Sequence, residues 1–438
     1  MSIRLRLVQT THKILQKAGR GGSFPGIMAL KMDPHFIERF HMPKIVILVT
    51  GTNGKTTTSN LIAESLRKAG LKVINNRRGD NLNVGIATLL AASSDSHYNI
   101  DADAAVIEVD ELTLYRQFRH LHPTHLVVTN FFRDQLDRAG EMETIIRKIQ
   151  DVTADFKGDI ILNGDDPNTL RIADTAKEAV IHTFSVAPND VSCTHTDEAS
   201  EGKFCPRCGR PLKYEYYQYS HIGRFHCDYD GFGEIHPDIY VTDIDYRNET
   251  FTVEGKKYHN FLNSIYAVYN CASVLTVMKV LHLDPDAANY VFKNFVMKEG
   301  RNEVFHLSKD CTINLVKNPT GANEVLKYIL HQPGDKNICI FLNDNDQDGH
   351  DVSWIWDAHF ERLNVPEVKH IICSGLRAYD MALRLKYEGL EERITVIEDS
   401  EKAIEWLDEA DMESYVIATY TALHPTRAIL RKVAARHD

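Results

Sequence analysis

The segment KIVILVTGTNGKTTT, residues 44–58, determines which fold class this chain can adopt. Its apolar run at 44–49 has no polar alternation, which is typical of a strand buried on both faces of a parallel sheet. We expect a turn over 50–58 and then a helix over 59–69 that ends at Gly70. A buried strand, a turn and a helix in this order form the first unit of an α/β fold.

Further short apolar runs follow along the chain, separated by segments long enough for helices. They lie at 72–74, 104–108, 125–128, 159–162 and 180–182, and then at 312–315, 337–342, 368–373, 394–396 and 415–418. Alternation of this kind predicts right-handed βαβ units and doubly wound parallel sheets. Between the two series, helices are predicted at 263–281 and 284–295.

The composition changes between about residues 190 and 255, where Cys, Tyr, His and Gly are frequent. We interpret this part as a ribbon-like insertion and not as more of the same sheet. The predicted organisation is a helical preface at 1–43, a middle α/β domain at 44–304 that carries the insertion, and a C-terminal α/β domain at 305–438.

The composition of the 438 residues excludes several classes of protein. A formal charge of −11 argues against a protein whose main partner is nucleic acid, because phosphate binding needs a basic surface. No apolar run approaches ~20 residues, so no transmembrane helix is predicted. The first residues lack the apolar core of a signal peptide. We therefore expect a cytoplasmic protein.

The helical preface begins with an amphipathic pattern. Apolar residues at helical spacing alternate with basic ones, the apolar set being Ile3, Leu7, Ile14 and Leu15 and the basic set Arg4, Lys13 and Lys17. A basic amphipathic helix can lie on a membrane surface. We expect it instead to dock on its own domain, and peripheral contact with the inner face of the membrane is the alternative.

A candidate phosphate-binding turn follows the first strand and consists of Gly51, Thr52, Asn53, Gly54, Lys55, Thr56 and Thr57. Backbone N–H groups in such a turn point at phosphate, and the helix N-terminus adds a favourable dipole. We expect Lys55 to neutralise the β- and γ-phosphates and the hydroxyl of Thr56 to ligate Mg²⁺. Val49 is a departure, since the usual phosphate loop has Gly there.

Polar residues follow the ends of neighbouring predicted strands. Glu108 ends one of them at the sheet edge that holds the phosphate loop, where a carboxylate suits Mg²⁺ or its waters. Asn130, Asn163 and Asp165 also follow strand ends and are candidates to contact adenine or ribose. As bare patterns, the last three are equally typical of turns.

Taken together, these motifs resemble the Mur ligases, the ATP-dependent amide-forming enzymes of peptidoglycan synthesis. The resemblance rests on GTNGKTTT at 51–58, Glu108, TNFFRDQLDR at 129–138, NGDDP at 163–167, GRNE at 300–303, KNP at 317–319 and SGLRAYDMALRLKY at 374–387. It implies a Mur ligase middle domain, a Rossmann-like C-terminal domain, and ATP and Mg²⁺ held by Lys55, Thr56 and Glu108. It also implies that Arg301 contacts the nucleotide.

Two departures from the family pattern narrow the expected substrate. Only 43 residues precede the first core strand, whereas the standard ligases carry an N-terminal domain for a UDP-sugar. Gln135 stands where those ligases usually have a metal-binding His. We therefore expect that the chain does not act on a soluble UDP-linked precursor in the usual way.

The sequence CPRCG at 205–209 is typical of one knuckle of a zinc ribbon. A second knuckle would have Cys where Asp230 stands, and three cysteines are a weaker signal than four. We expect a structural Zn²⁺ site, with a ribbon that has lost its metal as the alternative. The candidate ligands are Cys205, Cys208, Cys227 and Asp230, with His226 or His221 as substitutes for Asp230.

The ribbon and the short preface resemble the synthetase subunits of this family that form a heterodimer with a GatD-type glutaminase. The acidic segment 343–354 resembles the part whose Asp completes the catalytic triad of that partner. Asp351 is our candidate and Asp348 the second. None of the eight cysteines lies in a G-x-C-x-G turn, so glutamine hydrolysis is expected from the partner.

The chemistry that this resemblance implies is amidation of lipid II. ATP phosphorylates the α-carboxylate of D-Glu in the stem peptide, and ammonia displaces the phosphate to leave D-isoglutamine. Residues 81–85, NLNVG, are a candidate part of the acceptor site. A ligase similar to folylpolyglutamate synthase is one rival function. A nucleic-acid-binding module switched by ATP is another, and the acidic net charge counts against it.

Overall fold

The computed structural model of the chain describes residues 3–17, 23–77, 80–132, 142–196, 201–296 and 300–437. These residues form two compact units, the first ending at Phe295 and the second beginning at Val296. The sequence analysis put this boundary after residue 304. The second unit begins earlier because the strand Arg301–His306 pairs antiparallel with Asp310–Leu315.

The first unit is built on one mixed sheet and a separate hairpin. Its strands are β1 (Ile45–Thr50), β2 (Val73–Asn75), β3 (Ala104–Glu108), β4 (His125–Val128), β5 (Asp159–Asn163), β6 (Val180–Val186), β7 (Lys213–Tyr219), β8 (Ile222–His226), β9 (Ile239–Asp245), β10 (Thr250–Val253) and β11 (Lys256–His259). The sheet order is β11-β10-β9-β6-β5-β4-β1-β3-β2, parallel from β9 to β2. Strands β7 and β8 pair with each other in a separate two-stranded sheet.

Helices cover this sheet and connect its strands. They are α1 (Ile3–Lys17), α2 (Phe24–Met32), α3 (Lys55–Lys68), α4 (Asn83–Ser93), α5 (Glu111–Gln117), α6 (Met142–Thr153), α7 (Pro167–Leu170), α8 (Ile265–Val280) and α9 (Pro285–Asn294). The chain passes from β3 to β4 across β1, so the strand order reverses at β1. Ligands bind at such a reversal in open α/β sheets, and β1 leads directly into the phosphate loop.

The expectation of a ribbon-like insertion over 190–255 was wrong in its second half. Strand β9 pairs parallel with β6, and β10 and β11 extend the main sheet antiparallel from β9. The separate part is therefore the hairpin β7–β8 and the turns around it. Exposed polar positions in β9 and β11 hide the strand signal, because these strands lie near the sheet edge.

The preface helix α1 docks on its own unit, as expected, but through a different face. Leu5 and Val8 are fully buried, while Ile3 and Leu7 of the predicted apolar face are exposed. The side-chain amide of Gln9 donates to the backbone oxygens of Ala91 and Ser94 at the end of α4. None of the described helices is long and apolar enough to cross a membrane.

The second unit is an α/β domain with a sheet in the order β12-β13-β17-β14-β15-β16. Its strands are β12 (Arg301–His306), β13 (Asp310–Leu315), β14 (Lys336–Phe341), β15 (Val368–Ser374), β16 (Ile394–Val396) and β17 (Ser414–Ala418). Its helices are α10 (Pro319–His331), α11 (Ala378–Lys386), α12 (Ser400–Glu409) and α13 (Tyr420–Ala434). All pairs except β12–β13 are parallel, which confirms the predicted second α/β series.

Candidate functional site

The phosphate loop follows β1 and depends on two glycines. Gly51 and Gly54 have φ angles of +122° and +82°, a region that residues with a side chain rarely adopt. A Cβ at Gly54 would also lie 2.6 Å from Oδ1 of Asn270. The loop backbone can therefore take this shape only with glycine at position 54.

Helix α3 begins earlier than predicted, at Lys55. The N–H of Thr58 already donates to the oxygen of Gly54, at 2.8 Å. The run of threonines concealed this start, since Thr has a low intrinsic helix propensity. Thr56 and Thr57 consequently lie in the first turn of the helix, where the backbone N–H groups and the dipole favour an anion.

Asn130 holds the loop from the neighbouring strand β4. Its Oδ1 accepts from the N–H of Asn53 at 2.9 Å, and its Nδ2 donates to the oxygen of Asn53 at 3.1 Å. Its backbone oxygen accepts from Thr52 at 2.8 Å. Asn130 thus holds the phosphate loop through three hydrogen bonds.

Lys55 is buried and makes an ion pair within the site. Its Nζ lies 2.9 Å from Oε1 of Glu111, at the start of α5, and also donates to the oxygen of Gly51. Burial alone would lower the pKa of Lys55, but the carboxylates of Glu111 and Glu108 outweigh it and raise that pKa. The lysine is therefore a fixed cation. Glu111 was missed as a site residue because its partner is 56 positions away.

Glu108 ends β3 in a buried position, 1% exposed. Oε1 accepts from Nδ2 of Asn81 at 2.9 Å. Oε2 is buried and has no hydrogen-bond partner among the described residues. A buried carboxylate oxygen left unsatisfied is costly, and a divalent cation would satisfy it. The donor set of Glu108 and the nearby first turn of α3 therefore fits Mg²⁺.

The expected nucleotide contacts of Asn163 and Asp165 are not supported by this arrangement, because neither side chain has any exposed surface. Oδ2 of Asp165 accepts from the hydroxyl of Tyr269 at 2.7 Å and from the N–H of Val186 at 2.8 Å. Burial raises the pKa of Asp165 to about 6, against these hydrogen bonds. Oδ1 of Asn163 accepts from the N–H of Asp165 at 3.1 Å, so the two residues stabilise the turn after β5.

Arg301 begins β12, but its side chain is outside the part of the chain that the structure describes. Gln135 lies in the segment 133–141, which is also outside the described residues.

The cysteine cluster has the geometry of a metal site. One ligand atom from each of Cys205, Cys208, Cys227 and Asp230 lies within 4.8 Å of all the others. Sγ of Cys208 and Sγ of Cys227 are 3.6 Å apart, and Oδ2 of Asp230 lies 3.3 Å from Sγ of Cys205. Three thiolates and one carboxylate at these separations fit a tetrahedral Zn²⁺.

The two histidines named as substitute ligands are used elsewhere. Nε2 of His221 lies 3.2 Å from Oδ1 of Asp166, in a fully buried contact. Nε2 of His226 lies 3.0 Å from Oδ1 of Asp228. Neither belongs to the group of four ligand atoms, so Asp230 is the fourth donor that the geometry favours.

The two candidate aspartates in the acidic segment of the second unit differ in their exposure. Asp348 is buried, and its carboxylate accepts from the N–H and the hydroxyl of Thr421. Asp351 is exposed, and its Oδ1 accepts from the N–H of Ser353 at 2.8 Å. Asp348 therefore anchors the loop to α13, while Asp351 faces outward.

An exposed apolar surface lies next to this acidic segment. Apolar residues on α11 and its flanks recur every three or four positions and therefore lie in one stripe. This set, here named the α11 stripe, consists of Leu376, Tyr379, Leu383 and Tyr387, which are 65%, 65%, 50% and 73% exposed. Trp356, five positions after Asp351, packs against Tyr387 with ring centroids 5.6 Å apart. Apolar side chains that are exposed together in this way are typical of protein interaction surfaces.

Comparisons with known proteins agree with this architecture. Residues 49–225 match the Mur ligase middle domain family, and residues 315–423 match the MurT ligase C-terminal family. The lipid II isoglutaminyl synthase (glutamine-hydrolyzing) subunit MurT of Streptococcus pneumoniae (strain ATCC BAA-255 / R6) is 32% identical, over 96% of this chain and 95% of that protein. The protein of the same name from Staphylococcus aureus (strain COL) has the same identity and coverage.

Solved structures show the same fold at lower identity. A pseudomurein peptide ligase type C from Methanothermus fervidus has a TM-score of 0.68 at 19% identity, covering 91% of this chain and 80% of that one. A folylpolyglutamate synthase from Mycobacterium tuberculosis, complexed with ADP and AMPPCP, has a TM-score of 0.55 at 14% identity, covering 93% of each chain. At such identities the likeness concerns the fold alone.

Proposed function

The chain belongs to the MurT family of Mur ligases, and on that premise we propose that it is the synthetase subunit of a lipid II isoglutaminyl synthase. In this proposal it amidates the α-carboxylate of D-Glu in the lipid II stem peptide, with ATP as the energy source. The observation that carries the proposal is that a phosphate loop occurs together with the buried carboxylate of Glu108, of which one oxygen is hydrogen-bonded and the other has no partner among the described residues. The chain that holds them is related to MurT over 96% of its length.

The reaction we propose has two balanced steps. A carboxylate oxygen of the acceptor attacks the γ-phosphorus of ATP, ADP leaves, and an acyl phosphate forms. Ammonia then attacks the acyl carbon and inorganic phosphate leaves, with loss of a proton from the nitrogen. Because such a transfer needs positioning and charge neutralisation more than covalent help, Lys55 would neutralise the phosphates and the first turn of α3 would orient them.

Glu108 and Thr56 are the residues that would hold Mg²⁺ in this site. When bound, the ion supplies charge neutralisation at the phosphate oxygens. The candidate acceptor segment is adjacent, because Asn81 donates to Oε1 of Glu108. Asn81–Gly85 would thereby bring the acceptor carboxylate toward the phosphate that it attacks.

Ammonia would come from a GatD-type glutaminase partner. The exposed position of Asp351 supports it, and not the buried Asp348, as the residue that completes the triad of the partner. The α11 stripe, which Trp356 joins to the same loop, offers an apolar surface for docking. Apolar and aromatic side chains of this kind dominate the binding energy of protein interfaces.

We also propose that the cysteine cluster binds one structural Zn²⁺. The four donors leave no open position for a substrate, which is typical of structural sites. The ion would stabilise the turns around β7 and β8. Arg207 ties one of these turns to the main domain, because its guanidinium donates to both carboxylate oxygens of Asp174 at distances of 2.7 to 3.1 Å.

The test is mass spectrometry of the lipid II stem after incubation with ATP, Mg²⁺ and the chain. Free ammonium should support amidation by the chain alone, whereas glutamine should support it only when the glutaminase is present. Absence of amidation with both nitrogen sources, while ATP still binds, would contradict the substrate assignment. Ligation of glutamate to folate in a parallel assay would favour the folylpolyglutamate-type function instead.

A further inference from the structure

Helix α1 has a second apolar face that its own domain leaves uncovered. The face that packs inward carries Leu5 and Val8, both with no exposed surface. The outward face carries Ile3, Leu7 and Ile14, which are 84%, 50% and 62% exposed. Their spacing of four and seven residues aligns them in one stripe along the helix.

The outward face is bordered by basic residues. At ~100° per residue, Arg6, Lys13 and Lys17 fall along one side of the apolar stripe, and all three are exposed. No acidic residue occurs in the sequence before Asp33, although the whole chain carries a net charge of −11. This part of an acidic protein is therefore locally basic.

An apolar stripe edged with Lys and Arg has the chemistry of a helix that lies in a membrane interface. The apolar side chains enter the boundary between headgroups and acyl chains, and the basic ones contact anionic headgroups. We propose that α1 is a peripheral membrane helix that binds an anionic bilayer through Ile3, Leu7 and Ile14, with Arg6, Lys13 and Lys17 against the lipid headgroups.

The packing beneath α1 connects this surface to the candidate acceptor segment. Helix α1 is hydrogen-bonded to the end of α4, and α4 begins at Asn83 inside the segment 81–85. The neighbouring α2 packs against the start of α4, where the N–H of Gly26 donates to Oγ1 of Thr88 at 2.9 Å. A Cβ on Gly26 would lie 1.8 Å from the oxygen of Val84, so this contact is close.

A membrane-bound α1 would thus hold the acceptor segment near the surface from which a lipid-linked substrate projects. This consequence rests on the proposed function. The binding of α1 to lipid does not rest on it, so lipid binding and substrate access can be tested separately.

The first experiment is flotation of the full chain with vesicles of equal parts phosphatidylglycerol and phosphatidylcholine, compared with phosphatidylcholine alone. We expect binding to the anionic vesicles at low salt and weaker binding at high salt. The variant Leu7→Glu/Ile14→Glu should lower the partition coefficient about tenfold or more. Replacement of Arg6, Lys13 and Lys17 by Gln should lower it roughly fivefold for each residue.

The matched control is Val180→Glu/Val304→Glu, which changes two valines that are 54% and 47% exposed elsewhere. Equal binding by the control and the unaltered chain would support the assignment to α1. Failure of the unaltered chain to float at low salt would overturn it, as would an equal loss in the control. A different result would also overturn it: the α1 variant still binds lipid, but sedimentation shows that it no longer forms a homodimer or a heterodimer with the glutaminase. The outward face of α1 would then be a protein interface.

A second assay separates this inference from the proposed function. The α1 variant should amidate a water-soluble, short-chain analogue of lipid II as fast as the unaltered chain does, but vesicle-borne lipid II more slowly. Normal flotation with no amidation of either substrate would contradict the proposed function and leave the membrane helix supported. Equal rates on vesicle-borne lipid II would overturn the role of α1 in substrate access.

Discussion

Lys55 and Glu111 form a buried ion pair at the mouth of the phosphate loop, with Nζ and Oε1 2.9 Å apart and side chains 9% and 12% exposed. The lysine that would meet the phosphates is therefore already held by a carboxylate on α5. Removal of one member of such a pair leaves the other buried and uncompensated, which is strongly destabilising.

We expect Lys55→Met to lower both activity and stability. Amidation should fall at least ~10²-fold, because a positioned positive charge is lost from the transition state. The free energy of unfolding should fall by about 3 kcal/mol, since Glu111 is left buried without its partner. Urea denaturation and the ammonium-dependent assay measure the two effects separately.

The double variant Lys55→Met/Glu111→Gln is the control for this pair. It should recover most of the lost stability, because the carboxylate that pairs with Lys55 is removed together with it. It should not recover activity, because the lysine that would meet the phosphates is still absent. Stability losses that simply add in the double variant would show that the two residues are not coupled.

The stability of the first unit should depend on the ionisation of Asp165. Burial raises the pKa of Asp165 to about 6 from an ordinary value of 3.8. Between these values the folded chain holds a proton on Asp165 that the unfolded chain has lost, so the contribution of this group to stability falls as the pH rises from about 4 to about 6. The expected size of this single contribution is roughly 2–3 kcal/mol, and urea denaturation of the unaltered chain and of a variant without the carboxylate measures it as a difference.

Asp165→Asn cannot ionise and should lack this component of the pH dependence. The unfolding free energy of the variant, relative to that of the unaltered chain, should therefore increase as the pH rises from about 4 to about 6. Parallel pH profiles for the two proteins would contradict the raised pKa.

Asp351→Asn should abolish amidation driven by glutamine but not amidation driven by ammonium. The reason is that, in the proposed function, the exposed Asp351 would act on the partner and would take no part in the synthetase chemistry. A loss of about 10⁴-fold with glutamine is the expected scale for a triad aspartate. Asp346→Asn, in the same loop and with a side chain 96% exposed, is the matched control and should retain both activities. Equal losses with both nitrogen sources would argue against the assignment.

The α11 stripe should contribute to binding of the glutaminase. Leu383→Glu puts a charge into a surface that would be desolvated in the complex, so the dissociation constant should rise about tenfold or more. Val304→Glu, at similar exposure in the same unit, should leave it unchanged. Isothermal titration calorimetry measures both. An unchanged dissociation constant for Leu383→Glu would move the docking surface elsewhere.

Metal analysis of the purified chain should find one Zn²⁺ per molecule. Cys208→Ser should lose it and lower the thermal midpoint, whereas Asp230→Cys should retain it and resist a competing chelator for longer, because thiolate is the better Zn²⁺ ligand. Unaltered protein free of zinc after expression in zinc-supplemented medium would contradict the site.

Local sequence patterns were sufficient to predict the strands that lie inside the parallel sheets. The predicted bounds 104–108 and 125–128 agree with β3 and β4, since a strand covered on both faces must be apolar throughout. Strand β12 was missed because its sequence RNEVFH has only two apolar residues, Val304 and Phe305, and its partner is needed to recognise it.

The sequence by itself determined the elements whose chemistry is local. The phosphate loop, the knuckle at 205–209 and the acidic segment each need particular residues a few positions apart, so a short stretch of chain specifies them. Tertiary structure alone decided which of these residues are buried, exposed or paired. It buried Asp165 and Asp348, left Asp351 exposed, and brought Glu111 to Lys55, because burial and pairing depend on segments that are distant in the chain and adjacent only after folding.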